Sequence, residues 1–383
     1  MFLALRDLRF ATGRFSLMGA VVALITILLV MLSGLTAGLG HQNTAVLDDA
    51  EAAGADLVVF GGTAGQKPTA SFTQSEITAA QRDAWAGVDG VAAVDPVGLS
   101  QGRLVGLASD VTPDAEGRAD TSGADVGGVA TAAFVGVEPG AVHAPAGLGD
   151  GEIVLSESLA EEAGVAAGDQ VASSGFVLTV AGVVADSWYS HTPVAWTSRE
   201  DWTALTHVAD DEVLGTAALV DVADGADAWA VSAAGDAAAG TLAMNVPDAY
   251  DALPAYSSEN GSLTMMQGFL YGISALVVVA FLSIWTIQRT REIATLKALG
   301  ASTGWVLRDA LLQGGIVLAL GVTVGTAVAV GAGALAAGAV PFVLDLGTTV
   351  LPALGVLALG LAGSALAVAR VSRIDPLIAL GGN

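Results

Sequence analysis

Four uncharged stretches, Phe15–Leu47, Gly261–Gln288, Ala310–Leu344 and Leu346–Ala369, are each long enough to cross a lipid bilayer as a helix. A span needs ~20 apolar residues to cover ~30 Å of hydrocarbon at ~1.5 Å per residue. Backbone groups in lipid find no water, so such a stretch must close its own hydrogen bonds, which a helix does. The chain therefore reads as an integral α-helical membrane protein with four spans in a 1 + 3 layout and an inserted extracytoplasmic α+β domain. The charges give the boundaries: a cytoplasmic amphipathic segment at 1–14, spans at 15–40, 263–288, 310–338 and 349–370, and the inserted domain at 41–262. A cytoplasmic loop at 289–309, an external turn at 339–348 and a cytoplasmic tail at 371–383 complete the layout.

Charge orients these segments. Nine of the 14 Lys and Arg residues are Arg6, Arg9, Arg14, Arg289, Arg291, Lys297, Arg308, Arg370 and Arg373, all flanking span ends. Basic residues are retained on the cytoplasmic side, so four spans place both termini inside. Residues 41–262 hold 33 acidic and five basic residues, a formal charge of −28, which exceeds the whole chain's −24. The acidity thus belongs to one compartment, and it argues against nucleic acid as a partner, because phosphate contacts need Lys and Arg. The first span exceeds the ~7–15-residue apolar region of a cleaved leader and is expected to stay. The chain has no Cys, which excludes iron–sulfur clusters, thiolate zinc and a cysteine nucleophile.

Within the inserted domain, Asp56–Phe60, Gly102–Leu107 and Ala132–Val137 read as strands, being Val-rich and bounded by Gly, Pro or Asp. The stretch 151–184 reads as a strand at Ile153–Leu155, a short helix from a Ser156 cap to Ala163, a stop at Gly164, and a strand pair ending near Val184. These pieces predict one mixed sheet. Ser109–Val129 has no periodicity and reads as a loop. In the cytoplasmic loop, Ile293, Leu296 and Leu299 recur at i, i+3, i+6 on an otherwise charged helix that Gly300 ends. Such a helix either lies in the membrane interface or docks into a cytosolic partner.

Catalytic signatures are missing. Gly61–Pro68 only superficially resembles a phosphate loop, since Pro follows its Lys, and no GxSxG or HExxH motif occurs. The four histidines, His41, His143, His191 and His207, are scattered. The chain is expected to be a non-enzymatic membrane subunit with no intrinsic cofactor or metal.

The 1 + 3 layout, the domain unit at 151–184 and the loop REIATLKALGAS (Arg291–Ser302) together resemble the FtsX/MacB-type permeases of ABC exporters. RDLRFATGRFSLMG, LSGLTAGLGHQN and SHTPV (Ser190–Val194) are similar to the haem-exporter permeases of the HrtB type and their DevC-type glycolipid-exporter relatives. The resemblance implies a homodimer, or occasionally a heterodimer, in the plasma membrane of a bacterium. It would bind two copies of a separate cytosolic ABC ATPase that carries the ATP, with a coupling helix at Arg291, Glu292, Ile293, Leu296, Lys297 and Leu299. It implies haem as substrate; an exporter of lipid or glycolipid, or an FtsX-like mechanical regulator of an extracellular cell-wall hydrolase, is the alternative.

Haem is flat and apolar and carries iron and two propionates, so its site needs apolar walls, an axial ligand and hydrogen-bond donors. The outer ends of the first two spans offer His41, Asn43, Tyr256, Met265, Met266 and Tyr271, with Gln42, Gln267 and Phe269 beside them. The blander reading makes the tyrosines interface anchors and the methionines packing. Gly34 and Gly38 form a small-xxx-small pair expected at a helix–helix contact in the dimer. Trp188, Tyr189, His191, Trp196 and Trp202 read either as domain core or as a gate for the substrate.

Overall fold

The structure is a computed structural model that describes residues 12–63, 66–114, 116–121, 123–208, 210, 212–288, 295, 302–336 and 338–371. The chain forms two compact units, Gly40–Glu259 on one hand and Met1–Leu39 with Asn260–Asn383 on the other.

The described residues open with α1 (Thr12–Ala53), followed by β1 (Leu57–Phe60), β2 (Ile77–Thr78), α2 (Ala79–Ala86), β3 (Val91–Leu107) and β4 (Val126–Val137). Next come β5 (Glu152–Ser156), α3 (Glu157–Ala163), β6 (Gln170–Ser173), β7 (Phe176–Val184), β8 (Trp188–Tyr189) and β9 (Thr192–Ser198). Then follow α4 (Arg199–Thr206), β10 (Val213–Gly215), β11 (Ala217–Val222), α5 (Ala228–Ala239), β12 (Leu242–Asn245) and α6 (Val246–Ala249). A 3₁₀ turn at Tyr250–Ala252 leads into α7 (Pro254–Gln288), and α8 (Thr303–Ala336) and α9 (Leu346–Val371) are the last described elements. Four of these helices, α1, α7, α8 and α9, are long and apolar enough to cross a membrane. With the α+β domain inserted between the first and the other three, the architecture is that of an integral membrane protein.

The domain is built on a ten-stranded mixed sheet ordered β12-β1-β11-β3-β4-β9-β5-β7-β6, with β8 paired to β9. Because β6 also pairs with β3, the strands β3-β4-β9-β5-β7-β6 close into a ring. Closure removes the free edges that would otherwise invite aggregation. Two pairs in the ring, β4/β9 and β5/β7, are parallel. A parallel pair needs a crossover, and α3 supplies the one between β5 and β7 together with β6. The interior takes Leu104, Phe134, Ile153, Leu155, Val171, Leu178 and Ala195, with Leu159 of α3 and Trp202 of α4 among them. A separate cluster packs Trp85 of α2 and Val231 of α5 against Leu57, Val59, Ala218 and Val220.

Two readings of the sequence need correction. A second, two-stranded ladder of β10 with β2 stands beside the main sheet. The loop read at Ser109–Val129 is shorter, because β4 begins at Val126, where Leu107 of β3 pairs with it. Gly127 and Gly128 hid that strand: a Cβ at Gly128 would strike the backbone at Glu162–Ala163, so the position needs glycine despite its low strand propensity. At 156–164 the local grammar holds in part. Gly164 ends α3 in the left-handed region at φ 67°. Ser156 sits at the helix start, yet its Oγ donates to the Val194 carbonyl at 2.8 Å, and Asp186 accepts the Ser158 N–H at 2.8 Å instead.

In the other unit, Phe15, Met18, Val22, Ile25 and Leu29 of α1 pack with Val278 of α7, Val317, Leu318 and Val322 of α8, and Val356 of α9. Lipid tails are as apolar as these side chains, so close packing rather than the hydrophobic effect holds such a bundle. Small residues permit it: added Cβ atoms at Gly321 and Gly325 would lie 2.9 Å and 2.6 Å from carbonyl oxygens of Gly19 and Ala23.

Candidate functional site

Within Gly40–Glu259, the C-terminal part of α1 is clasped by the turn between β8 and β9. Ser190 and His191 both adopt left-handed backbone, at φ 48° and 63°. That geometry turns two successive N–H groups toward the helix: His191 donates to the Gln42 carbonyl at 2.8 Å and Ser190 to the Asn43 carbonyl at 3.2 Å. Each carbonyl has a second lone pair for such a bond. Left-handed conformations cost free energy for non-glycine residues and persist only when the surroundings enforce them. Here Gln101 helps, its Nε2 donating to Thr192 Oγ1 at 2.7 Å and to the Ser190 carbonyl at 3.3 Å.

The His191 side chain completes the clasp. Its Nε2 lies 2.8 Å from Glu259 Oε2 on α7 and 3.1 Å from Asn43 Nδ2, which itself reaches the same carboxylate oxygen at 3.3 Å. An Nε2–H given to the carboxylate leaves that nitrogen no lone pair, so the Asn43 amide also donates to Glu259. One carboxylate therefore ties α1, the β8–β9 turn and the start of α7 together. Asn43, expected among the substrate contacts, is 1% exposed and spent in this network.

One turn further along α1, Asp48 collects a second set. It accepts from Thr44 Oγ1 at 3.1 Å and from the Tyr250 hydroxyl, and lies 3.8 Å from His41 Nδ1. Burial first, and the Asp48 contact next, raise the Tyr250 phenol above its ordinary range and keep it a donor. Tyr256 packs edge-on against Tyr250, ring centres 5.7 Å apart. His41 keeps about half of its side chain exposed, at 55%. Of the three candidates in this unit, Asn43 is buried, Tyr256 is half-buried and His41 is the most exposed.

The other unit holds the remaining candidates. Gln267 Nε2 donates to Thr36 Oγ1 at 3.1 Å, joining α7 to α1 by a polar contact. Met265, Met266 and Phe269 are exposed, at 63%, 46% and 65%. Tyr271 is partly buried and turned into the bundle, so that a Cβ at Gly355 of α9 would come 2.8 Å from its ring.

Gly34 and Gly38 do make room for a close neighbour, but that neighbour is the chain's own segment before α9 rather than a second helix. The Phe342 ring lies where a Gly34 side chain would be, and the Pro341 carbonyl where a Gly38 side chain would be. Val343 N–H donates to the Gly34 carbonyl at 3.1 Å. On α7, by contrast, Cβ atoms added at Gly268 and Gly272 would meet nothing within 4 Å among the described residues. The same GxxxG spacing marks both pairs, so spacing alone does not tell a filled groove from an open one.

The aromatic stretch divides between cores. Tyr189 and Trp196 are buried with the cluster beneath α1, and Trp202 lies inside the strand ring with Nε1 donating to Ser100 Oγ at 3.1 Å. The coupling-helix candidates Arg291, Glu292, Ile293, Leu296, Lys297 and Leu299 lie outside the described residues.

Comparison with known proteins now decides the family. Residues 17–238 match the MacB-like periplasmic core domain, and residues 265–376 match the FtsX-like permease C-terminal region. The chain belongs to the FtsX/MacB-type permeases. A Staphylococcus epidermidis protein provisionally named hemin transport system permease protein HrtB is 32% identical over 130 residues, 34% of this permease and 37% of that protein. A Staphylococcus haemolyticus protein of the same name is 28% identical over 233 residues, 60% of this permease and 64% of that protein. This permease thus spans less than two thirds of the length of these curated relatives. The crystal structure of the periplasmic region of MacB from Actinobacillus actinomycetemcomitans shares 15% identity, covering 50% of this permease and 89% of that chain at a TM-score of 0.34, too low to build on.

Proposed function

We propose that this permease is the membrane subunit of an ABC exporter that removes haem from the membrane, driven by two copies of a separate cytosolic ATPase. The observation that carries this reading is the naming of its relatives for hemin transport, on a chain whose two family matches cover both the inserted domain and the helices. The termini lie in the cytoplasm, residues 41–262 outside, and Arg291–Leu299 is the helix that engages the ATPase. ATP-driven closure moves the helices and expels the ligand outward.

The accessible candidates narrow the substrate contacts. Met265 and Met266 present thioethers, Phe269 a flat apolar wall, and His41 an imidazole, all chemically suited to haem. Asn43, Tyr256 and Tyr271 act as braces instead, because their polar or aromatic groups are already engaged. Purified permease in lipid nanodiscs should show a haem Soret band that shifts when Met265 and Met266 become Ala or when His41 becomes Ala. Haem should stimulate ATP hydrolysis by the reconstituted complex, and the shifted variants should lose most of that stimulation while the complex stays assembled. If haem neither binds nor stimulates, the haem assignment fails and a lipid or glycolipid becomes the substrate to test.

The dimer partner is a second copy of the chain seated on α7. Gly268 and Gly272 leave an open groove there, rimmed by exposed Met265, Phe269 and Leu276. Small residues let two helix backbones approach closely. Gly268→Leu with Gly272→Leu should reduce the dimer fraction in nanodiscs at least tenfold, as counted by mass photometry, with helical content unchanged. An intact dimer in that double variant moves the interface off this groove.

A further inference from the structure

The inserted domain contains a cavity of about 200 Å³ that opens to solvent and has no part in the clasp described above. Its walls come from Val46, Leu47 and Ala50 of α1 and from Val97, Leu99, Val135, Val137, Trp196 and Leu219 on four strands. An engineered cavity of ~150 Å³ holds a benzene ring, so this one has room for a substituted ring or a short chain.

Among the lining residues only Asp49 and His143 carry ionisable side chains, and both offer acceptors. Asp49 is exposed and uses Oδ2 to accept from Ser187 Oγ at 2.6 Å. The His143 side chain is 3% exposed. Its Nε2 lies 3.2 Å from Asp221 Oδ1 and 3.7 Å from Asp95 Oδ2. A nitrogen between two carboxylates holds the proton, since a lone pair there would face oxygen lone pairs. In the neutral ring Nδ1 is then a bare acceptor, and it is buried with no hydrogen-bond partner among the described residues. A buried acceptor left unpaired has given up its hydration with nothing in return.

The surroundings extend the same preference. Asp95 and Asp221 stand behind His143, and the domain as a whole carries −28 by formal count. A carboxylate ligand meets repulsion and finds no Lys or Arg among the lining residues. A ligand carrying N–H groups meets two acceptors and a favourable field. Apolar walls with a few convergent polar groups are what a small-molecule site requires.

We propose that this cavity binds a small apolar amine, its ring or short chain among the valines and leucines and its ammonium group against Asp49 at the mouth. The site does not depend on haem being the exported substrate. Because α1 supplies one wall and β3, β4, β9 and β11 the others, an occupant bridges helix and sheet and reinforces the seating of α1 on the domain.

The test uses the full chain in phosphatidylcholine nanodiscs, with binding read by fluorine NMR and corrected against empty discs. Three probes of nearly equal size separate charge from apolar fit: 4-fluorobenzylamine, 4-fluorobenzyl alcohol and 4-fluorobenzoate. The amine should bind at least tenfold more tightly than the alcohol, and the benzoate should not bind. Asp49→Asn should bring the amine to the level of the alcohol. Val142→Trp, at a 63% exposed lining position and so tolerable to the fold, should block both. Histidine-selective nitrogen labelling should show the His143 signals moving with the amine while those of His207 stay still. Equal binding of all three probes would reveal a plain apolar void and overturn the proposal. So would amine binding that survives Val142→Trp, or no binding above empty discs, which would mean a cavity that holds water only.

Discussion

Replacing Ile293 and Leu296 together by Asp is expected to separate this permease completely from the cytosolic ATPase proposed as its partner. The two residues stand three apart in the sequence, a spacing that would bring them to one face of a helix, with Arg291, Glu292 and Lys297 around them. A helix that docks by such a stripe buries it in an apolar groove. Two aspartates would bring unpaired carboxylates into that groove, and each costs several kcal/mol when desolvated without a partner. A loss of ~1.4 kcal/mol is already tenfold in affinity, so the double variant should leave no detectable complex at micromolar concentrations. The measurement is co-purification of the tagged ATPase with the permease, alongside haem-stimulated ATP hydrolysis in nanodiscs. Expression and helical content of the double variant should match wild type, which separates lost docking from lost folding. Full co-purification with intact stimulation would remove the coupling assignment and leave the helix an interfacial one.

The sequence exposed some features of this protein and concealed others, for identifiable reasons. Spans are legible because lipid imposes a length and excludes charge, and Phe15–Leu47 satisfies both without any tertiary information. The turn at Gly164 is legible because a left-handed residue after a short helix calls for glycine. Strand β9 was not, since Thr192–Ser198 is buried along its whole length and so shows no alternation. The clasp was half visible: SHTPV stood out as a motif, but nothing local says that His191 meets Glu259, 68 residues away. Asn43 looked like a substrate contact for the same reason that it makes a good brace, an amide near the end of a span. The cavity beneath α1 is a product of packing between distant strands, and His143 gave no sign of it.

The last expectation concerns the wedge that fills the first glycine pair. Phe342 lies against the Cα of Gly34, and Gly333 of α8 leaves room for the same ring. Val343 donates to the Gly34 carbonyl, so the segment before α9 is fixed to α1 by backbone as well as by packing. A methyl group at Gly34 must push the ring out. Overpacking of this kind costs about 1–3 kcal/mol. Removing the ring alone, by Phe342→Ala, leaves an unfilled groove and costs a similar amount for a partly buried site. If the two groups truly compete for one volume, the added methyl should partly refill the space the ring leaves. Gly34→Ala with Phe342→Ala should then destabilise by at least ~1 kcal/mol less than the sum of the single changes, a coupling within the range found for residues in contact. Unfolding of the reconstituted permease by titrated denaturing detergent provides the readout. Gly331→Ala is the control, because its added methyl meets nothing within 4 Å among the described residues and should leave stability within ~0.5 kcal/mol of wild type. Strict additivity between positions 34 and 342 would mean that the ring does not occupy the groove in the membrane. It would also return Gly34 and Gly38 to the set of surfaces available to a second helix.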